Sequence, residues 1–331
     1  MKHTAKAWIV DEPHGRFRET DIALPTLRPN DVLVRISAAA VNPIDTKIRA
    51  AKAEHAKQPL PAVLGVDMAG TVAAVGSAVT SLKPGDEVYG MAGGVDGLQG
   101  TLAEFLAADA DLLARKPSSL SMRQASALPL SVITAWEGLV DRAKVHTNQT
   151  VLIHGGAGGG GHIAIQIARS FGAKVFTTVS ADKKEIVEKF GAHPIDYRSV
   201  SIADYVSQFT ASEGFDIIFD TVGGATLDAS FAAVRRYTGH VVSSLGWGSH
   251  SLAPLSFRGA SYSGVFTLRP LITGQDRKHH GRILSRAAEL GDTGKLEPLL
   301  NLQPHSTADL EAAYAQVESG SLGKVVIDIP D

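Results

Sequence analysis

The 331-residue chain contains no cysteine. That absence removes disulfides, thiolate nucleophiles and every cysteine-ligated zinc site together. Long apolar runs are missing too. No stretch approaches the roughly 20 apolar residues of a membrane-spanning helix, so no membrane partner is expected. The amino terminus lacks the apolar core of a secretory signal, which makes the cytoplasm the expected location. Neither sign of charge dominates: 32 basic and 34 acidic residues leave a formal charge of −2. With no local basic stripe, nucleic acid is not an expected partner. Repeats and low-complexity segments are absent. Asn148-Gln149-Thr150 matches a glycosylation sequon but reads here as a turn before a strand.

What is present is an ordinary globular composition, 44% hydrophobic, in a chain longer than one core usually serves. The first third is strand-rich. Residues 6–10, 31–40 and 68–75 are β-branched or alternating stretches bounded by Pro, Gly and Asn. Lys83-Pro84-Gly85-Asp86 is a turn signal leading into a short strand at 87–89. A helical period is expected only around 43–53.

From about residue 120 strands and helices alternate. Strands are expected at 150–154, 174–179, 193–197, 215–222 and 240–245, with helices at 160–171, 183–190, 201–210 and 225–237. Val151-Leu152-Ile153 and Ile217-Ile218-Phe219 are apolar on both faces, as in a parallel sheet covered by helices. This alternation predicts a doubly wound α/β unit. Helices at 277–290 and 308–318 and a strand at 323–329 close the chain. The adjacent His279-His280 pair reads as solvated helix surface, since neighbours on a helix point apart.

Gly156-Ala157-Gly158-Gly159-Gly160-Gly161 fits G-x-G-x-x-G directly after an apolar strand and before an apolar helix. That context separates a dinucleotide-binding turn from a merely flexible one. Glycines admit a pyrophosphate close to the backbone, and the helix start offers unpaired N–H groups. An NAD site usually carries an acidic residue at the end of the second strand, for the ribose hydroxyls. Here Thr178-Val179-Ser180 stands there, followed by Lys183 and Lys184. A hydroxyl and a lysine suit a 2′-phosphate, so NADPH is the expected cofactor. Asp182 is discordant and is expected to cap the following helix.

Several segments resemble the quinone oxidoreductases and zeta-crystallins of the medium-chain dehydrogenase/reductase superfamily. They are Ala40-Val41-Asn42-Pro43-Ile44-Asp45-Thr46, Leu64-Gly65-Val66-Asp67-Met68-Ala69-Gly70, Leu128-Pro129-Leu130 with Thr134-Ala135-Trp136, and Phe219-Asp220-Thr221-Val222-Gly223-Gly224. The glycine turn, Gly191-Ala192-His193 and Ile195-Asp196-Tyr197-Arg198 complete a likeness spanning almost the whole chain. The resemblance implies a GroES-like β-rich catalytic domain over residues 1–120 and 268–331. A Rossmann NADPH domain over 121–267 goes with it, the active site lying between the two. Aligned on these motifs, the catalytic zinc ligands of the superfamily's alcohol dehydrogenases fall on Asn42, Val66 and Leu130. Those side chains do not make a tetrahedral zinc site, and no metal is expected.

The resemblance also assigns contacts. The glycine turn would hold the pyrophosphate, and Ser180, Lys183 and Tyr197 the 2′-phosphate. Val222 and Gly223 would border the adenine-side ribose or the pyrophosphate. Thr134, Leu245, Gly246, Phe266 and Thr267 would line the nicotinamide pocket, and Lys324 would reach the cofactor from the other domain. Hydride delivery to an electron-poor acceptor needs no Lewis acid. The expected activity is therefore zinc-independent quinone reduction by NADPH. The alternatives are an alkenal, enone or enoyl-thioester reductase, and a non-catalytic NADPH-binding structural or sensor protein. Asn42 would donate to the substrate carbonyl and Asp45 would orient the ribose or a water; both residue types are also common at turns and helix starts. Lys47 stands where many relatives have tyrosine, and Trp136 is either an apolar wall or core. The family's dimers pair a sixth strand edge to edge, and 264–268 is the apolar candidate for it, so a homodimer is expected.

Overall fold

The computed structural model describes residues 4–320 and 322–330, and the chain divides into two units, 1–130 with 268–331, and 131–267. In the second unit every strand is parallel. The sheet runs His193–Asp196, Lys174–Val179, Thr150–His154, Ile217–Asp220, His240–Ser243, Ser261–Gly264. Numbered along the chain, that order is 3-2-1-4-5-6, with the topological switch between the first and fourth strands. The helices Gly161–Ser170, Lys184–Lys189, Ile202–Thr210 and Ala225–Ala233 alternate with the strands. Leu152, Ile218 and Val241 from three neighbouring strands pack with Tyr205, Phe215, Leu227 and Phe231 in one fully buried cluster. These strands carry apolar side chains on both faces because each face is covered.

The first unit is built mainly from antiparallel strands, with His305–Ser306 pairing parallel to Val325–Asp328. Its largest sheet centres on Asp31–Val41, which pairs with Asp67–Val75, Phe105–Asp109 and the carboxyl-terminal strand Val325–Asp328. That last pairing, Val325 opposite Val41, explains why the end of the chain belongs with its beginning. Tyr89, fully buried, donates its hydroxyl to the carbonyl of Leu284 at 2.6 Å and ties the helix Arg277–Asp292 to this unit.

Four expectations are corrected. The sixth strand is Ser261–Gly264, not 264–268. An edge strand pairs on one side only and needs no run apolar on both faces, so the apolar segment was the wrong guide. His280 is fully buried rather than solvated: it shares the inner face of its helix with Ile283, Leu284 and Ala287, at the helical spacing of three and four. The helix expected over 225–237 stops at Ala233, where Phe215 and Val234 form a parallel bridge instead. Asp182 caps no helix. It lies in a single 3-10 turn, Ala181–Lys183, and accepts the Ser180 hydroxyl.

Candidate cofactor site and the buried polar cluster

In the second unit the strand Thr150–His154 ends at Gly155, whose positive φ of 76° turns the chain toward the helix Gly161–Ser170. The glycines that follow do different things. A Cβ on Gly161 would lie 2.2 Å from the carbonyl oxygen of Gly155, and one on Gly156 2.0 Å from the Thr177 hydroxyl. These two glycines let the turn close on itself and on the sheet. A Cβ on Gly160 would meet nothing within 4 Å, and Gly158 is exposed. Gly156, Ala157 and Gly161 are buried, while Gly159 and Gly160 are half-buried. The outer part of the turn thus presents open backbone at a helix amino terminus, an arrangement that fits a pyrophosphate.

His154, buried, holds the base of this turn. Its Nδ1 lies 3.0 Å from the Thr178 hydroxyl, whose oxygen also accepts the Gly155 N–H at 3.3 Å. Burial pushes the imidazole down to about 4, against a smaller opposing pull from Asp220, so the ring is neutral at physiological pH.

At the end of the second strand Ser180 is buried, Lys183 half-buried and Tyr197 exposed. Arg198 joins them, its guanidinium 5.6 Å from the Tyr197 ring. The Ser180 hydroxyl, then a backbone N–H and the nearby charges of Lys183 and Arg198, hold the Asp182 carboxyl below its ordinary range. Arg198 was a motif residue without a role in the sequence reading; the cation–aromatic contact gives it one.

Beyond the fourth strand, Val222 is exposed and Gly223 buried with a positive φ of 78°. Leu245 is half-buried, Gly246 exposed and Thr267 buried. Phe266 is 39% exposed and meets the Trp247 ring edge-on at 6.2 Å. Thr134 is half-buried on the helix Pro129–Trp136, and Trp136, also half-buried, packs edge-on against Phe171 at 5.7 Å.

The first unit gathers Asn42, Asp45, Asp67 and Lys324, all buried. Asp45, third residue of the helix Pro43–Arg49, accepts the Asn42 backbone N–H at 2.8 Å. The Asn42 side chain does not point along that helix. Its Nδ2 donates to Asp67 at 3.0 Å, and its Oδ1 accepts from the Lys324 ammonium. The other oxygen of Asp67 accepts the Leu130 N–H at 3.0 Å, and Lys324 Nζ lies 3.8 Å from Asp67. Burial raises Asp45 to about 7 and Asp67 to about 6, the latter despite the opposing Lys324 charge. Burial likewise lowers the Lys324 ammonium, against the pull of the two carboxyls. Asp67 and its bond to Asn42 were not foreseen, because their partnership crosses two strands far apart in sequence.

The sheet order and the glycine turn at its first strand define a dinucleotide-binding oxidoreductase fold. The chain matches the family model of the alcohol dehydrogenase GroES-like domain over residues 28–118 and that of the zinc-binding dehydrogenase over residues 159–276. A 2-methylene-furan-3-one reductase from Solanum lycopersicum is 36% identical over 93% of this chain and 74% of its own length. A chloroplastic NADPH-dependent alkenal/one oxidoreductase from Arabidopsis thaliana is 34% identical over 97% and 79%. Among solved structures, an alcohol dehydrogenase superfamily protein from Novosphingobium aromaticivorans is 53% identical, with TM-score 0.96, covering 98% of this chain and 100% of its own. The quinone oxidoreductase from Coxiella burnetii is 29% identical with TM-score 0.84, covering 99% and 100%. The chain belongs to the medium-chain dehydrogenase/reductase superfamily, with relatives among its alkenal/one and quinone oxidoreductases. It is accordingly an NAD(P)H oxidoreductase acting on small molecules. The zinc of one matched family name has no fitting site in these residues: cysteine is absent, and Asn42 already carries the Lys324 ammonium. Among the described residues no three His, Asp or Glu side chains group as metal ligands, and no helix is long and apolar enough to cross a membrane.

Proposed function

We propose that the protein reduces conjugated carbonyl compounds with NADPH, enones ahead of quinones. The observation that carries the cofactor assignment is the group at the end of the second strand. There a buried serine ends the strand where an NAD site would place a carboxylate, and an exposed tyrosine and two cations stand beside it, the cations outweighing the single charge of Asp182 held on the serine hydroxyl. When bound, the dihydronicotinamide supplies the hydride. Gly159 and Gly160 would receive the pyrophosphate on open backbone, the Gly158 N–H being given to the Gly155 carbonyl at 2.9 Å, while Lys183 and Arg198 would attract the 2′-phosphate. Thr134, Leu245, Gly246, Phe266 and Thr267 wall the nicotinamide and exclude water.

In the first unit, Asn42, Asp45 and Asp67 act as a frame for the buried Lys324 ammonium. Asn42 spends one N–H on Asp67 and its carbonyl on Lys324. This supports a positioning role in place of a bond from Asn42 to the substrate. Enones are placed ahead of quinones because the furanone and alkenal/one reductases match 93% and 97% of this chain at 36% and 34% identity, whereas the curated quinone oxidoreductases match at 36% over 63% of it or at 28% over 93%. A homodimer through the edge strand Ser261–Gly264 belongs to the same proposal, and sedimentation showing only monomer at micromolar concentration would remove it.

The test is NADPH and NADH oxidation by the purified protein, followed with a short enal, an exocyclic methylene ketone, 1,4-benzoquinone and 9,10-phenanthrenequinone. Turnover with NADPH and higher kcat/KM on the enal or ketone is expected. Faster quinone turnover would reverse the order of acceptors. Preference for NADH would overturn the phosphate site. Tight NADPH binding without turnover of any acceptor would make the chain a binding protein.

A further inference from the structure

The carboxylate of Asp220 takes no part in the contacts assigned so far, yet it is fully buried at the carboxyl end of the fourth strand. A carboxylate removed from water must find donors within the protein. Asp220 finds three. It accepts the backbone N–H of Val222 at 3.0 Å, that of Gly223 at 3.0 Å and 3.1 Å on its two oxygens, and the Ser243 hydroxyl at 2.8 Å. Ser243 is its register partner on the fifth strand, and its oxygen in turn accepts the Leu245 N–H at 3.0 Å. The hydroxyl is therefore used in both directions: its proton goes to Asp220 and a lone pair takes Leu245.

The two turns so bound also touch. A Cβ on Gly223 would lie 2.6 Å from the Leu245 carbonyl oxygen. The N–H groups of Val222 and Gly223 point inward onto Asp220, so a contact of this turn with a nucleotide would run through the exposed Val222 side chain, the exposed Gly224 or carbonyls. Both turns follow the carboxyl ends of adjacent parallel strands, where ligands of doubly wound sheets bind.

We infer that Asp220, acting through Ser243, is a positioning residue that locks the 222–224 and 245–246 turns into one unit and so sets affinity for the nicotinamide half of the cofactor. The inference rests on the cofactor reading given above. Asp220→Asn keeps an acceptor for the two N–H groups but turns a donor toward Ser243, whose own proton then loses its acceptor. Ser243→Ala leaves the Leu245 N–H unpaired, whereas Ser243→Thr keeps the hydroxyl.

The experiment measures Kd for NADPH and for 2′,5′-ADP in the wild type and these three variants, with thermal melting as a folding control. The expected result is an NADPH Kd raised about tenfold in Asp220→Asn and Ser243→Ala, the size of one lost charge-assisted hydrogen bond. Affinity for 2′,5′-ADP should fall clearly less than that for NADPH, because that fragment reaches the 222–224 turn but lacks the nicotinamide half that the 245–246 turn would border. Ser243→Thr should restore NADPH binding, and the Asp220→Asn/Ser243→Ala pair should weaken it no more than the stronger single change. Unchanged NADPH affinity in folded variants overturns the inference, as do equal losses for NADPH and 2′,5′-ADP or additive effects in the pair. Failure of the wild type to bind either nucleotide would instead overturn the cofactor reading itself.

Discussion

Gly160 and Gly161 are neighbours in the glycine turn, and alanine at each should do opposite things. At Gly161 the new Cβ falls 2.2 Å from the backbone oxygen of Gly155, well inside any real contact, and no flexible side chain can yield. The helix start or the turn must move by about an ångström. Overpacking of that kind costs about 1–3 kcal/mol. At roughly 2–4 °C per kcal/mol, melting should fall by several degrees and by as much as about 10 °C. At Gly160 the backbone is already right-handed helical, φ −87° and ψ −36°, and the Cβ has open space. Alanine there should leave stability unchanged or raise it by about 0.4–1 kcal/mol, through the unfolded chain. Yet that open space is where the pyrophosphate is proposed to lie, so NADPH affinity should fall about tenfold or more, the penalty of losing close backbone approach. Melting curves and fluorescence titration with NADPH separate the two effects. The reasoning fails if Gly160→Ala binds NADPH like wild type, or if Gly161→Ala melts at the wild-type temperature.

Three further outcomes follow from the geometry. Asp45, raised to about 7, binds its proton more tightly folded than unfolded, so its contribution to stability is complete below about pH 4 and is lost as pH rises toward 7. Asp45→Asn keeps an acceptor for the Asn42 N–H and should be more stable than wild type, relative to acid conditions, at pH 8; urea titrations at pH 5 and pH 8 showing equal shifts would contradict this. Lys324→Met leaves buried Asp67 without its cation and should cost about 3–5 kcal/mol near pH 7.5. The cost should shrink near pH 5, where Asp67, raised to about 6, holds its proton; a loss independent of pH would rule out the pairing as its cause. Lys183→Ala should weaken NADPH roughly tenfold and leave NADH unchanged, and parallel losses for both nucleotides would refute a contact with the 2′-phosphate.

Much of the second unit was legible locally. Val151-Leu152-Ile153 announced a strand covered on both faces, and the glycines after it announced the turn, because both signals depend only on residues adjacent in sequence. Ser180 and Lys183 stood out as candidates for the same reason, whereas Tyr197 entered only through the family resemblance. Ser261–Gly264 was not, since an edge strand is recruited by backbone pairing: Val265 donates the last N–H to Ser243 at 3.0 Å, just where the apolar segment begins.

By itself, then, the sequence determined the doubly wound class of the second unit, the place of the glycine turn, and the impossibility of a cysteine-held zinc. These follow from composition, period and spacing. Only the tertiary structure decided which buried charges meet. Asp67 and Lys324 come together because Asp31–Val41 pairs with strands from both the amino- and carboxyl-terminal segments. Asp220 meets Ser243 because two parallel strands share a register. It also buried His280, by rotating one helix face inward over Leu284 and Ile283. Such partnerships are set by pairing and helix phase across distant segments, which no local pattern records.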